Sequence, residues 1–184
     1  MILEILELLE YYKTINNMEI LKIAIEWAKA EVFSSRFFIL SAILFLAAST
    51  GFWQLGKTEM AKAYIIPTLV SGVLLLAVGL GIFFTNKSRI TSFADAYHTN
   101  ATEFVKLEIT RTKKSMGEYK TIVFKIIPII IIVAALIIVF VDKALWRAIS
   151  ITTIALMVVI LLVDSNANSR ITTYYKQLEL AKKM

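Results

Sequence analysis

Residues 87–120 read KSRITSFADAYHTNATEFVKLEITRTKKSMGEYK, a polar and basic stretch set between two pairs of strongly apolar runs. Its apolar members Ile90, Phe93, Ala94, Tyr97, Ala101 and Phe104 recur at the i, i+3, i+4, i+7 spacing of one helix face. The other faces carry Lys87, Arg89, Asp95, His98, Asn100, Glu103, Lys106 and Glu108. This spacing predicts that the preceding apolar run continues out of a bilayer as an amphipathic helix. Arg111, Lys113 and Lys114 then lie near its C-terminus, where positive charge suits the helix dipole, and Gly117 marks the predicted stop.

The flanking runs set the class. Phe37 to Gly56 and Ala63 to Asn86 precede the stretch, Ile126 to Val141 and Ala148 to Val163 follow it, and none contains a charge. About twenty helical residues rise roughly 30 Å, the thickness of a hydrocarbon core. The third run is short. Lys125 can snorkel, so that Thr121 to Phe124 lengthens the buried stretch, and Pro128 then kinks the helix or marks its start. Two tight charged turns, Lys57 to Lys62 and Asp142 to Arg147, close the pairs into hairpins. The predicted fold is an all-α membrane protein with four transmembrane helices as two hairpins, residues 37–86 and 121–163. Amphipathic segments 1–36, 87–120 and 164–184 extend it, the last with Ile171, Tyr174, Tyr175, Leu178 and Ala181 on one face.

Composition agrees. Of 184 residues 58% are hydrophobic, against about 45–50% in soluble domains. Cysteine is absent, which excludes disulfides and thiolate metal sites. The N-terminus lacks the positive start of a secretory signal; it carries a row of Glu4, Glu7 and Glu10 beside an apolar face. Asn16 and Glu19 are spaced as a helix cap, predicting a second helix from near Asn17 with the face Ile20, Ile23, Ala24, Trp27 and Glu31. Trp27, Phe33, Phe37 and Phe38 are expected to cross the headgroup layer.

Charge placement gives a direction. Residues 1–36 hold four Lys and Arg, 87–125 eight and 170–183 four, while the two turns share four. The positive-inside rule then predicts that both termini and residues 87–120 are cytoplasmic; the localisation expected is the inner membrane. Ser88-Arg89-Ile90-Thr91 returns as Ser169-Arg170-Ile171-Thr172, which suggests duplicated halves of like orientation. Ile65-Ile66-Pro67 against Ile126-Ile127-Pro128 matches in a different register, so the duplication stays open.

Small residues mark where helices can approach closely: Ala47, Gly51, Gly72, Ala77, Gly79 and Gly81. They serve packing within the chain or between subunits of a homo-oligomer. Ser41, Ser49, Thr50, Ser71, Thr85, Ser150, Thr152 and Thr153 are expected to bond their own helix backbone. No catalytic, cofactor or metal motif is present, and Asp95 at i−3 from His98 is the one acid–base pairing. The expectation is a protein that is not an enzyme and uses no cofactor. The basic residues of the hinge are mixed with acids, which suits anionic lipid headgroups better than specific nucleic acid. Glu4, Glu7, Glu10, Arg89, Tyr97 and His98 are the candidates for contact with a cytoplasmic or membrane protein partner.

From Ser35 to Thr112, the hairpin followed by Ser88-Arg89-Ile90-Thr91 and then Phe93, Tyr97 and Phe104 resembles the SLATT-type membrane modules of bacterial defence systems. The chain is also similar in layout to the small transmembrane accessory proteins of type VI CRISPR loci. The resemblance implies an oligomeric, pore-forming or membrane-perturbing effector or accessory of antiphage defence. It departs from a SLATT module in its second hairpin. It also lacks the Arg-x4–6-His motif of one accessory group, because eight residues separate Arg89 from His98. The alternative expectation is a membrane-embedded immunity protein or scaffold that binds a toxin or a membrane complex.

Overall fold

A computed structural model describes the backbone of residues 2–183 and the side chains of residues 19–182. Glu4, Glu7 and Glu10 lie outside the described side chains. The described chain is helical almost throughout: α1 Ile2–Leu55, α2 Glu59–Ala63, α3 Ile65–Thr99, α4 Ala101–Glu118, a π-helical segment Tyr119–Ile126, α5 Ile127–Phe140 and α6 Ala144–Lys183. Four of these stretches are long and apolar enough to span a membrane, and they pair as two antiparallel hairpins. The N-terminal end of α1, the C-terminal end of α6 and Asn100 lie at one end of the molecule, the terminal end, and both short turns lie at the other.

α1 runs unbroken through Asn16 and Asn17, so the predicted cap does not divide it. Stopping there leaves end-of-helix N–H groups unpaired, whereas an interior Asn costs less than about 1 kcal/mol against Ala. At the turn end Gly56 and Lys57 break the helix, and the Thr58 hydroxyl caps α2 by accepting the Ala61 N–H at 3.2 Å. Pro67 lies in the first turn of α3, where a missing N–H is tolerated.

Hairpin one is held by close backbone approach. A Cβ built on Gly79 would lie 2.9 Å from Ile39 Cγ1 and 3.1 Å from Ile39 N; one on Gly72 would lie 2.8 Å from Leu46 Cγ. Lipid is as apolar as the helices, so such packing contacts drive their association. The Ser49 hydroxyl adds a bond across the hairpin, donating to the Ile65 carbonyl at 2.8 Å; the expectation of a bond to its own helix fails there. Thr50 does bond its own helix, to Leu46 O; Thr68, outside that expectation, donates to Tyr64 O.

The interior is layered along the membrane normal. Phe38, Ala42, Leu75 and Leu156 form an apolar centre, flanked by Phe45, Leu76, Met157 and Ile160. Phe38 therefore packs inside the bundle and is not an interfacial ring; Phe33 and Phe37 face outward. Toward the turns follows a layer of buried hydroxyls: Ser49, Thr68, Ser71, Ser150 and Thr152.

At the terminal end the chain departs from the prediction. Residues 87–120 are not one helix. Asn100 is extended (φ −158°, ψ 95°), and its side-chain oxygen accepts the Glu103 N–H at 3.0 Å, ending α3 and capping α4. The stretch folds back on itself, with Phe104 edge-on to Phe93 and Tyr97 at 5.3 and 5.4 Å between ring centroids. Gly117 is not a stop. It continues in helix, and no described glycine has positive φ. α4 passes through the π segment into α5 without a break, and Pro128 falls in the first turn of α5. α3 and α4 with the terminal ends of α1 and α6 thus make a second, extramembrane four-helix bundle.

Candidate functional site

The extramembrane bundle has an aromatic centre of Ala24, Trp27, Ala28, Phe93, Tyr97, Phe104, Val105, Ile109, Ile171, Tyr174 and Leu178. Helical spacing picked out Ala24, Trp27, Phe93, Tyr97, Phe104, Ile171, Tyr174 and Leu178; Ala28, Val105 and Ile109 join them without having been read as part of a face. Charged groups are set into this centre, and every long helix supplies at least one. Trp27 of α1 is 8% exposed and stacks on Tyr174 of α6, with ring centroids 5.3 Å apart and planes within 10°. It is a bundle core residue and not a headgroup anchor. The Arg111 guanidinium of α4 lies 4.4 Å from the Trp27 ring centroid and that of Arg89 of α3 lies 5.8 Å away. A cation over an indole face is attracted by the ring quadrupole, most strongly where water is displaced.

Each cation has an acceptor. Arg111 Nε donates to Glu108 Oε1 at 2.8 Å, and a second nitrogen reaches the other carboxylate oxygen, a bidentate grip. The Tyr174 hydroxyl donates to Glu108 Oε2 at 3.0 Å. Arg170 Nε donates to Glu31 Oε1 at 3.0 Å, joining α6 to α1 across 139 residues. Arg89 donates to the Asn86 amide oxygen at 2.9 Å, and that amide donates to Ile82 O at 2.9 Å. Burial, then the Glu108 carboxylate, pushes the Tyr174 phenol above its ordinary range. Burial, then Arg111, lowers the Arg89 guanidinium. Both groups keep their pH 7 form: a phenol pushed up stays protonated, and an arginine stays charged. The core therefore works as fixed charge, and its chemistry is that of recognition between helices.

The residues singled out by sequence divide. Arg89 belongs to this core. Tyr97 is buried in the aromatic centre and offers no surface to a partner, a correction that follows from its place on the apolar face. His98 is exposed, and no hydrogen bond to Asp95 forms among the described residues. Gly72 and Gly79 are consumed inside hairpin one, whereas a Cβ built on Gly51 or Gly81 would meet nothing within 4 Å. Ala47, Ala77 and Gly81 are exposed and Gly51 is half-buried, so Ala47-Gly51 and Ala77-Gly81 each set two small residues toward the outside at i, i+4 spacing. Sequence reasoning missed the roles of Glu108, Arg111, Arg170 and Tyr174. The readable signal was charge within an apolar face: Glu31 among Ala24, Trp27 and Ala28, and Glu108 beside Phe104, Val105 and Ile109. Among the described residues no group of three His, Asp or Glu is placed to hold a metal ion.

No family model, curated protein or solved structure matches this chain. The fold and the core define a class directly: an all-α membrane protein of four spans in two hairpins, whose helices continue on one side into a bundle with a charged aromatic core.

Proposed function

We propose that this protein is a non-enzymatic inner-membrane effector or accessory that acts as a homo-oligomer to perturb or permeate the bilayer, with both termini and the extramembrane bundle in the cytoplasm. The observation that carries the reading is the split among the small residues. Gly72 and Gly79 are used within the chain, while Ala47-Gly51 and Ala77-Gly81 set small residues toward the outside of the spans. Such pairs let helices of a second copy approach, because association in lipid rests on packing. The apolar centre at Phe38, Ala42, Leu75 and Leu156 leaves no wet path through one chain, so a conduit needs several copies. The cytoplasmic placement rests on the excess of Lys and Arg at the terminal end. The likeness of residues 35–112 to SLATT modules directs the reading to antiphage defence. The test is dye release from vesicles by wild type and by Ala77→Leu/Gly81→Leu. Release by wild type and none by the folded variant support the reading; no release by either, with or without the neighbouring gene products, overturns it.

A second reading is an immunity protein or scaffold that binds a toxin or a membrane complex through its cytoplasmic helices. Leu107 and Leu180 favour it, since each is more than half exposed on an extramembrane helix. It predicts a monomer or dimer that leaves vesicles sealed.

A further inference from the structure

The π-helical segment Tyr119–Ile126 is absorbed by neither reading. It lies where α4 enters the membrane as α5, and Ile127 donates its N–H to Ile122 O, five residues back. Val123 and Ile127 are buried against the bundle, while Lys120, Thr121, Ile122, Phe124, Lys125 and Ile126 are exposed. In an α-helix, residues five apart point about 140° away from each other. In the π segment, where the bonds run five residues back, the turn is wider and that separation narrows, so Lys120 and Lys125 share the exposed side of the segment.

The two lysines then stand about one turn apart along the helix, Lys120 toward the polar stretch and Lys125 beside the uncharged run that begins at Ile126. A lysine set among exposed Ile122, Phe124 and Ile126 extends its ammonium toward the headgroups, while its stem covers the apolar surface. That brings its charge up to the level of Lys120. The nearest acid in sequence, Glu118, pairs with Lys114 at 3.9 Å. Among the described ion pairs neither Lys120 nor Lys125 has an acidic partner. Thr121, between them in the chain, is exposed as well.

We infer that the π segment is a binding site for the headgroup of an anionic phospholipid. The Lys120 and Lys125 ammoniums grip one phosphate, Thr121 donates to it, and the acyl chains lie along Ile122, Phe124 and Ile126. Opposite charge, the apolar collar directly below and the placement at the boundary select a lipid as the occupant. The leaflet is the one on the side of residues 87–120, whichever way the protein faces. The inference is independent of oligomerisation and of the proposed function.

The experiment is native mass spectrometry of the full chain released from nanodiscs of equimolar phosphatidylglycerol and phosphatidylcholine. Retained phosphatidylglycerol is counted for wild type, Lys120→Gln/Lys125→Gln, Lys120→Arg/Lys125→Arg and the control Lys113→Gln/Lys114→Gln. A lysine at an anionic surface contributes about fivefold in affinity, so the Gln pair loses about twenty-five-fold. The expected result is loss of one retained phosphatidylglycerol in that variant, with retention in the Arg pair and in the control. Equal loss in the control shows diffuse attraction and overturns the site, as does unchanged retention in Lys120→Gln/Lys125→Gln. Thermal unfolding of each variant in the same nanodiscs establishes that it is folded.

Discussion

Replacing Gly79 and Gly81 by alanine separates packing inside the chain from surface left open. They are two residues apart on α3, carry the same chemistry and face opposite surroundings. A Cβ at 79 would stand 2.9 Å from Ile39 Cγ1, 3.0 Å from Phe38 Cβ and 3.1 Å from Ile39 N. Carbon contacts are optimal near 3.5–4.0 Å, so α1 and α3 must part by roughly 0.5–1 Å. One of the obstructing atoms is backbone, which a rotamer change cannot move. Overpacking of this kind costs about 1–3 kcal/mol. The helix-propensity gain of Ala over Gly, about 1 kcal/mol in water, offsets only part of it, because a span stays helical in lipid when its partner leaves. The expected net loss for Gly79→Ala is about 1–2 kcal/mol. A Cβ at 81 meets nothing within 4 Å, so Gly81→Ala is expected to stay within about 0.5 kcal/mol of wild type. Denaturant titration in detergent, followed by near-ultraviolet circular dichroism of the bundle aromatics, reads both. Wild-type stability in Gly79→Ala, or an equal loss in Gly81→Ala, would refute the contact assignment.

Substitutions at Arg170, Glu31 and Tyr174 test the charged core. Arg170→Ala leaves the Glu31 carboxylate buried without its partner, which costs about 3–5 kcal/mol where an ion pair is broken one-sidedly. Glu31→Leu combined with Arg170→Met is expected to recover most of that. A double-mutant cycle on unfolding free energies measures the coupling, and additivity would show that the pair does not act together. Tyr174→Phe removes one hydrogen bond to a buried carboxylate and keeps the stack on Trp27; the expected loss is about 1.5–3 kcal/mol by chemical denaturation. Unchanged stability would mean that Glu108 is satisfied by Arg111 alone.

Much of this fold was legible because a bilayer imposes simple demands. Uncharged runs of spanning length identified the hairpins, and period 3.6 identified the buried faces around Trp27, Phe93 and Tyr174. Periodicity names a face but not its partner. Nothing along the chain says that Arg170 meets Glu31, or that Tyr174 reaches Glu108. The Asn100 reversal was readable from Asn-x-x-Glu at 100–103, but the apolar spacing runs straight across it from Tyr97 to Phe104 and reads as one helix. Gly117 misled because a glycine in an exposed helical position costs about 1 kcal/mol and ends nothing by itself. The outward and inward glycines of α3 were indistinguishable, since a span apolar on all sides carries no pattern that separates lipid from protein. The π segment has no residue pattern of its own; only the backbone shows it.

The most direct test of the proposed function is the subunit count of the full chain in nanodiscs, by native mass spectrometry, for wild type and Ala77→Leu/Gly81→Leu. A closed ring of several wild-type copies and a folded monomer for the variant are expected. A wild-type monomer or dimer, unchanged by the substitutions, would contradict the proposed function and favour the binding reading.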